Sequence, residues 1–149
     1  MLFRNPLRFA ANAALVTALA LAAGCGGESD STGADSFPSA AFATVNGDAG
    51  KLVIEVRTAP TQPPGRGLTD VELRVATPAG APVDGLELTA LPWMPDMGHG
   101  ASVKPSVAPD GDGRYLVTNV EMFMPGRWEL RLQTTGAVED SAKVSFQIP

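Results

Sequence analysis

From residue 44 to the C-terminus, large apolar side chains recur at every second position in short runs, and the runs are separated by glycine- and proline-containing turns. A period of two puts successive side chains on opposite faces of an extended chain, so this segment buries its apolar half by forming strands that pack on another layer. Leu52, Ile54 and Val56 alternate with Val53, Glu55 and Arg57, and Val71, Leu73 and Val75 with Glu72 and Arg74. Between these two runs, Pro60 to Gly67 holds three prolines and two glycines and predicts a loop. Leu86, Leu88 and Ala90 form a third run that ends at Pro92, and Ala101, Val103 and Val107 mark a fourth, on which Pro105 predicts an edge position. A fifth strand starts at Arg114, after the hairpin turn Asp110-Gly111-Asp112-Gly113, and is closed by Met124-Pro125-Gly126. Trp128, Leu130 and Leu132 alternate with Glu129 and Arg131 in a sixth, and Val144, Phe146 and Ile148 make a seventh. No stretch after residue 44 has helical periodicity of useful length. The pattern predicts an all-β, immunoglobulin-like, seven-stranded antiparallel β-sandwich as one domain over residues 44–149.

The fifth strand breaks its own period. Tyr115 and Val117 share one parity, whereas Val120, Met122 and Met124 share the other. One extra residue near Thr118-Asn119 returns all five to one face, which predicts a β-bulge there. Met122 and Met124 then turn inward, and Glu121 and Phe123 outward.

The N-terminus has a different character. Arg4 and Arg8 precede an apolar run from Phe9 to Ala23 that only Asn12 and Thr17 interrupt, and no acidic residue occurs before Glu28. The run is short for a membrane span and ends in small residues, which predicts an export signal over residues 1–24. Its end, Leu21-Ala22-Ala23-Gly24-Cys25, resembles a bacterial lipobox, which implies lipidation of Cys25 and anchoring through several acyl chains. Gly26 after the cysteine, in place of an inner-membrane-retaining Asp, favours the outer membrane. The protein is thus expected in the cell envelope, lipid-anchored and facing the periplasm. Residues 25–43 are rich in Gly, Ser, Asp and Ala, with Phe37 and Phe42 the large apolar groups, and read as the lipidated cysteine followed by a flexible tether.

One loop concentrates unusual chemistry. Pro92-Trp93-Met94-Pro95-Asp96-Met97-Gly98-His99-Gly100 holds the only histidine, one of two tryptophans and two of the five methionines; Met122 and Met124 end the fifth strand. If each strand crosses the sandwich, the first, third and fifth run the same way, so the loop at 60–67, the Met/His loop and the Met-Pro-Gly turn share one end. Thioethers are poor ligands for hard ions and select monovalent copper, with which imidazole is compatible. Met94, Met97 and His99, with Met122 or Met124 as a further ligand, form a candidate copper(I) set, and Trp93 a candidate shield or cation–π partner. Each residue also has a plain structural role: the methionines as gap-fillers, Trp93 as a lid on the core, His99 as a solvated turn residue. Two function classes follow: a copper-binding module with a copper-handling protein partner, and a metal-free interaction or structural domain.

Other chemistries fit poorly. One cysteine excludes an internal disulfide framework and Cys-rich metal sites, and one histidine excludes any site needing two imidazoles. Blue-copper and metal-hydrolase ligand sets are therefore missing, and no nucleophile-elbow motif occurs, so no enzymatic activity is expected. The net charge of −5 becomes −7 once the signal removes two basic and no acidic residues, which gives no electrostatic reason to bind nucleic acid. The chain reads as a monomer.

Three spaced motifs carry a family resemblance. Trp93-Met94-Pro95-Asp96-Met97-Gly98-His99-Gly100, then Gly113-Arg114-Tyr115, then Met122-Phe123-Met124-Pro125-Gly126-Arg127-Trp128-Glu129-Leu130 resemble the YtkA-like domain family, with its Met-Pro-x-Met-x-His loop, Gly-Arg-Tyr turn and Met-x-Gly-x-Trp strand start. The resemblance spans roughly residues 50–148, with the specific motifs within 92–132. It implies a sandwich and an exported location. The family is similar to the periplasmic part of FixH-type proteins, which are linked to assembly of copper-containing oxidases, and is loosely similar to the CopC kind of copper-carrying sandwich. This chain departs from FixH-type proteins in having a lipid tether where they have a membrane helix.

Overall fold

The computed structural model describes residues 37–149. They form nine strands: β1 (Ala43–Asn46), β2 (Val53–Ala59), β3 (Gly67–Ala76), β4 (Leu86–Met94), β5 (His99–Gly100), β6 (Ser106–Gly111), β7 (Arg114–Met122), β8 (Gly126–Gly136) and β9 (Asp140–Ile148). All neighbours pair antiparallel, in one sheet of order β1-β2-β3-β7-β6 and a second of order β5-β4-β8-β9. Without the two short strands, β2-β3-β7-β6 faces β4-β8-β9, which is the seven-strand immunoglobulin arrangement. The side chains that set the period fill the space between the sheets: Ile54, Val56, Leu73, Tyr115, Val117, Trp128, Leu130, Val144 and Phe146 are all buried.

Strand boundaries depart from the sequence expectation in three places. β4 continues through Pro92 to Met94, because Pro92 pairs with Leu130 and needs no N–H on the side that it turns to β5. The fourth expected strand begins only at Ser106; residues 101–105 cross from one sheet to the other, with Val103 exposed. The seven strands become nine by adding β5, a two-residue partner of Trp93 and Met94, and β1, which pairs with β2 from Ala43 to Asn46.

Packing also begins upstream of residue 44. Phe42 donates its N–H to Val56 and stacks on Phe146 with ring centroids 5.2 Å apart. The Ser39 carbonyl accepts from Arg57, and the Ala40 carbonyl from Gln62. Residues 39–42, assigned to the tether by composition, therefore lie along the first sheet. They sit over a square of cross-strand charges in which Arg57 pairs with Glu55 and buried Glu72, and Glu72 with Arg74. The expected export signal, Cys25 and the expected tether up to residue 36 lie outside the described residues.

The bulge falls where the broken period put it. Thr69 pairs with Val120 and Val71 with Val117, so two residues of β7, Thr118 and Asn119, face one of β3. Asn119 takes the left-handed conformation at φ 60°. Met122 is then buried and Met124 half-buried, while Phe123 is exposed.

Candidate functional site

β2 and β7 run the same way within one sheet, and the Met/His loop after β4 meets the β7–β8 turn through Asp96–Arg127 and His99–Phe123. Asp96, in the turn after β4, forms an ion pair of 2.9 Å with Arg127 at the start of β8. This carboxylate raises the Arg127 pKa through its hydrogen bond and its charge. The His99 ring stacks on Phe123, with centroids 6.2 Å apart and planes 19° from parallel, and Phe123 meets Trp128 edge-on at 5.6 Å. A Cβ on Gly126 would lie 2.7 Å from the Met94 methyl, so the glycine leaves room for that side chain.

Residues 95–98 form a tight hairpin turn. The Met94 carbonyl accepts from both the Met97 and Gly98 N–H groups, and Gly98 supplies the φ of 69° that closes the turn. Beyond it, His99 pairs directly with Met94. Directly opposed residues of an antiparallel pair share a face, so the thioether of Met94 and the imidazole of His99 start from the same side of the hairpin. His99 Nδ1 lies 3.2 Å from the Gly100 carbonyl. An N–H placed there leaves the lone pair on Nε2.

The five sequence-predicted residues are thus brought to one end but not to one level. Met94 is 5% exposed and Met122 1%, and both belong to the apolar core. Met124 is half-buried against that core, His99 is half-buried at the rim, and Met97 stands at the turn with 57% exposure. Trp93 does not serve the site. Strand alternation puts it on the opposite face from Met94, where the Arg131 guanidinium lies 4.9 Å from its ring centroid. Among the described residues, no three His, Cys, Asp or Glu side chains gather as a metal-binding group, so any metal here would depend on sulfur.

Sequence reasoning missed Phe123 as the partner of the His99 ring, and the Asp96–Arg127 pair. A signal for the pair existed: opposite charges in two loops expected at the same end. Two of the three motifs are structural. Tyr115 is buried, its hydroxyl donating to the Val83 carbonyl and accepting from the Leu86 N–H. The Gly113 N–H donates to Asp84, and a Cβ there would meet the Val75 carbonyl. Trp128 is fully buried and donates from Nε1 to the Met124 carbonyl at 2.8 Å, which fixes the chain just before the β8 start.

A family model described as YtkA-like matches residues 48–133, more than half of the chain and including the Met/His loop and the Gly113-Arg114-Tyr115 turn. No curated protein and no solved structure matches the chain.

Proposed function

The chain belongs to the YtkA-like family, and on that premise we propose that it is an exported, lipid-anchored binding domain that carries monovalent copper as cargo in the cell envelope. The observation that carries this reading is the pairing of Met94 with His99 across the hairpin that holds Met97 at its tip. With Nδ1–H directed at the Gly100 carbonyl, Nε2 is the nitrogen available to a soft ion, and a backbone carbonyl in that role orients many metal-bound imidazoles. Met97 is the accessible sulfur, Met124 the half-buried one, and Met94 the one beneath the rim. Capture begins at Met97 and His99, and release to a copper-handling partner proceeds by thioether exchange, with no redox step at the protein. The membrane attachment rests on Cys25 and the lipobox-like segment before it, with the domain facing the periplasm from the outer membrane.

The test is a copper(I) competition titration against a chelator on the soluble chain beginning at Gly26. One equivalent should bind, and binding should raise the thermal midpoint by mass action. Replacing Met97 by Leu and His99 by Ala together should abolish both effects while the apo domain stays folded. Replacing Cys25 by Ser should abolish acyl labelling in cells.

A second reading has its own support. Met94 and Met122 are packed as core residues, as a metal-free interaction domain would have them. That reading holds if no copper(I) is retained and partner binding survives replacement of Met97 and His99.

A further inference from the structure

We propose that the open edge of β4 is a docking site for an extended, acidic peptide strand of another protein, independent of the Met/His loop. β5 covers β4 only at Trp93 and Met94, and β8 lies along the other side, so the edge from Leu86 to Pro92 has no strand beside it. Main-chain groups of alternate residues point to opposite edges of a strand. The Pro92 carbonyl accepts from Ala101 and the Leu86 N–H donates to Tyr115, so this parity faces away from β8. Leu88 and Ala90 share it. Their N–H and C=O groups therefore face the open edge, where among the described residues no strand pairs with them.

The crossover 101–105 stands off from this edge and leaves a cleft of about 420 Å³ between them. Leu88, Ala90, Leu91, Val103, Pro105 and Val107 supply its apolar wall, and Leu91 and Val103 are exposed, at 47% and 38%. Lys104 is the one charged residue in the lining, in a chain of net charge −5. Pro and Lys often blunt an edge against chance pairing. Here Pro92 closes only the β5 end, and Lys104 lies on the crossover across the cleft, so the Leu88–Ala90 window stays open. An added strand would satisfy the two residues' main-chain groups, place alternate apolar side chains against the wall, and set a carboxylate against Lys104. An acyl chain would match the wall alone and leave the backbone groups unpaired.

The probe is the blocked pentapeptide Thr-Val-Asp-Val-Thr, titrated into the isotope-labelled soluble chain beginning at Gly26. The amides of Leu88 and Ala90 should shift, and their hydrogen exchange should slow. Lys104→Glu should weaken binding by about fivefold, and N-methylation of both valines should abolish it. Four results overturn the proposal: no change at those amides with millimolar peptide, binding that survives N-methylation, decanoate reproducing the same shifts, or the chain self-associating through this edge without peptide. Lys104→Glu is an exposed change, so loss of binding by that variant with an unchanged spectrum elsewhere reads the contact and not the fold.

Discussion

The two ends of the sandwich hold their loops in opposite ways. At the end away from the Met/His loop, the buried Asp140 carboxylate accepts backbone N–H groups from Ala49, Lys51, Leu52 and Ser141 at 2.8–3.2 Å. One side chain at the start of β9 thereby fastens the whole turn between β1 and β2. Gly47 is part of this clasp, because a Cβ there would collide with the Asp140 carboxylate. At the Met/His end, the tie between turn and strand is an exposed ion pair, Asp96–Arg127, helped by the stacking of a half-buried histidine on an exposed phenylalanine. Hydrogen bonds to a charged group are worth about 1.5–3 kcal/mol each, and exposed ion pairs have a median near 0–1. One end is tied by several hydrogen bonds to a charged group, the other by a single exposed ion pair and one stacked ring, the looser arrangement that exchange of the proposed copper(I) cargo would use.

The largest expected effect tests the closed end. Asp140→Ala leaves up to four donors without their acceptor, and should cost on the order of 3–5 kcal/mol in a denaturant titration. A loss below about 1 kcal/mol would mean that water replaces the carboxylate, and the contrast between the ends would fail. The pH dependence sharpens the same point. Burial works to raise the Asp140 pKa, but the backbone donors outweigh it and hold the group below the ordinary aspartate value. A folded value below the unfolded one gives stability that is complete above about pH 4 and is lost as pH falls through the folded value. Asp140→Asn should flatten that acid limb of the stability profile.

Gly126→Ala probes the seam between core and site. The position has φ 127°, and the new methyl would press on Met94 at 2.7 Å. Backbone strain should dominate, because the end of a methionine side chain can move, and the cost should be about 1–3 kcal/mol. Combining it with Met94→Val removes the methyl that the alanine meets. If that pair regains most of the loss, packing rather than φ sets the cost, and Met94 is held more tightly than its flexibility suggests.

What could be read in advance divides along the same line. The core, the seven longer strands and the bulge at Thr118-Asn119 were legible because burial leaves a period of two, and one inserted residue inverts it visibly between Val117 and Val120. The meeting of the Met/His loop with the β7–β8 turn followed from strand direction alone. Asp140 was not legible: a single carboxylate at a strand start has no period, and three of its four donors are backbone groups about 90 positions away in sequence. The packing of Phe42 on Phe146 was hidden for a similar reason, since a polar, glycine-rich neighbourhood outweighed one aromatic. At the site, composition identified the soft ligands, but the level of each side chain depends on pairing. Only the Met94–His99 register separates buried Met94 from exposed Met97.

The smallest expected effect is the one that most directly tests the open end. Replacing Asp96 by Asn or Arg127 by Gln removes the ion pair, yet both partners are largely exposed, with side chains 58% and 49% accessible. The midpoint of thermal unfolding should not move measurably, and added salt should not change that outcome, because screening already weakens an exposed pair. The turn itself should respond. With Asp96 released, the Met97 and Gly98 amides that bond to the Met94 carbonyl should exchange faster with solvent, while the Ala49, Lys51 and Leu52 amides at the clasp should not change. If the Met97 and Gly98 amides keep their protection without the ion pair, the turn is held by its own backbone bonds and by His99 on Phe123. The Met/His end would then be as firmly closed as the other, and release of the proposed copper(I) cargo would have to be driven by the proposed partner rather than by the loop.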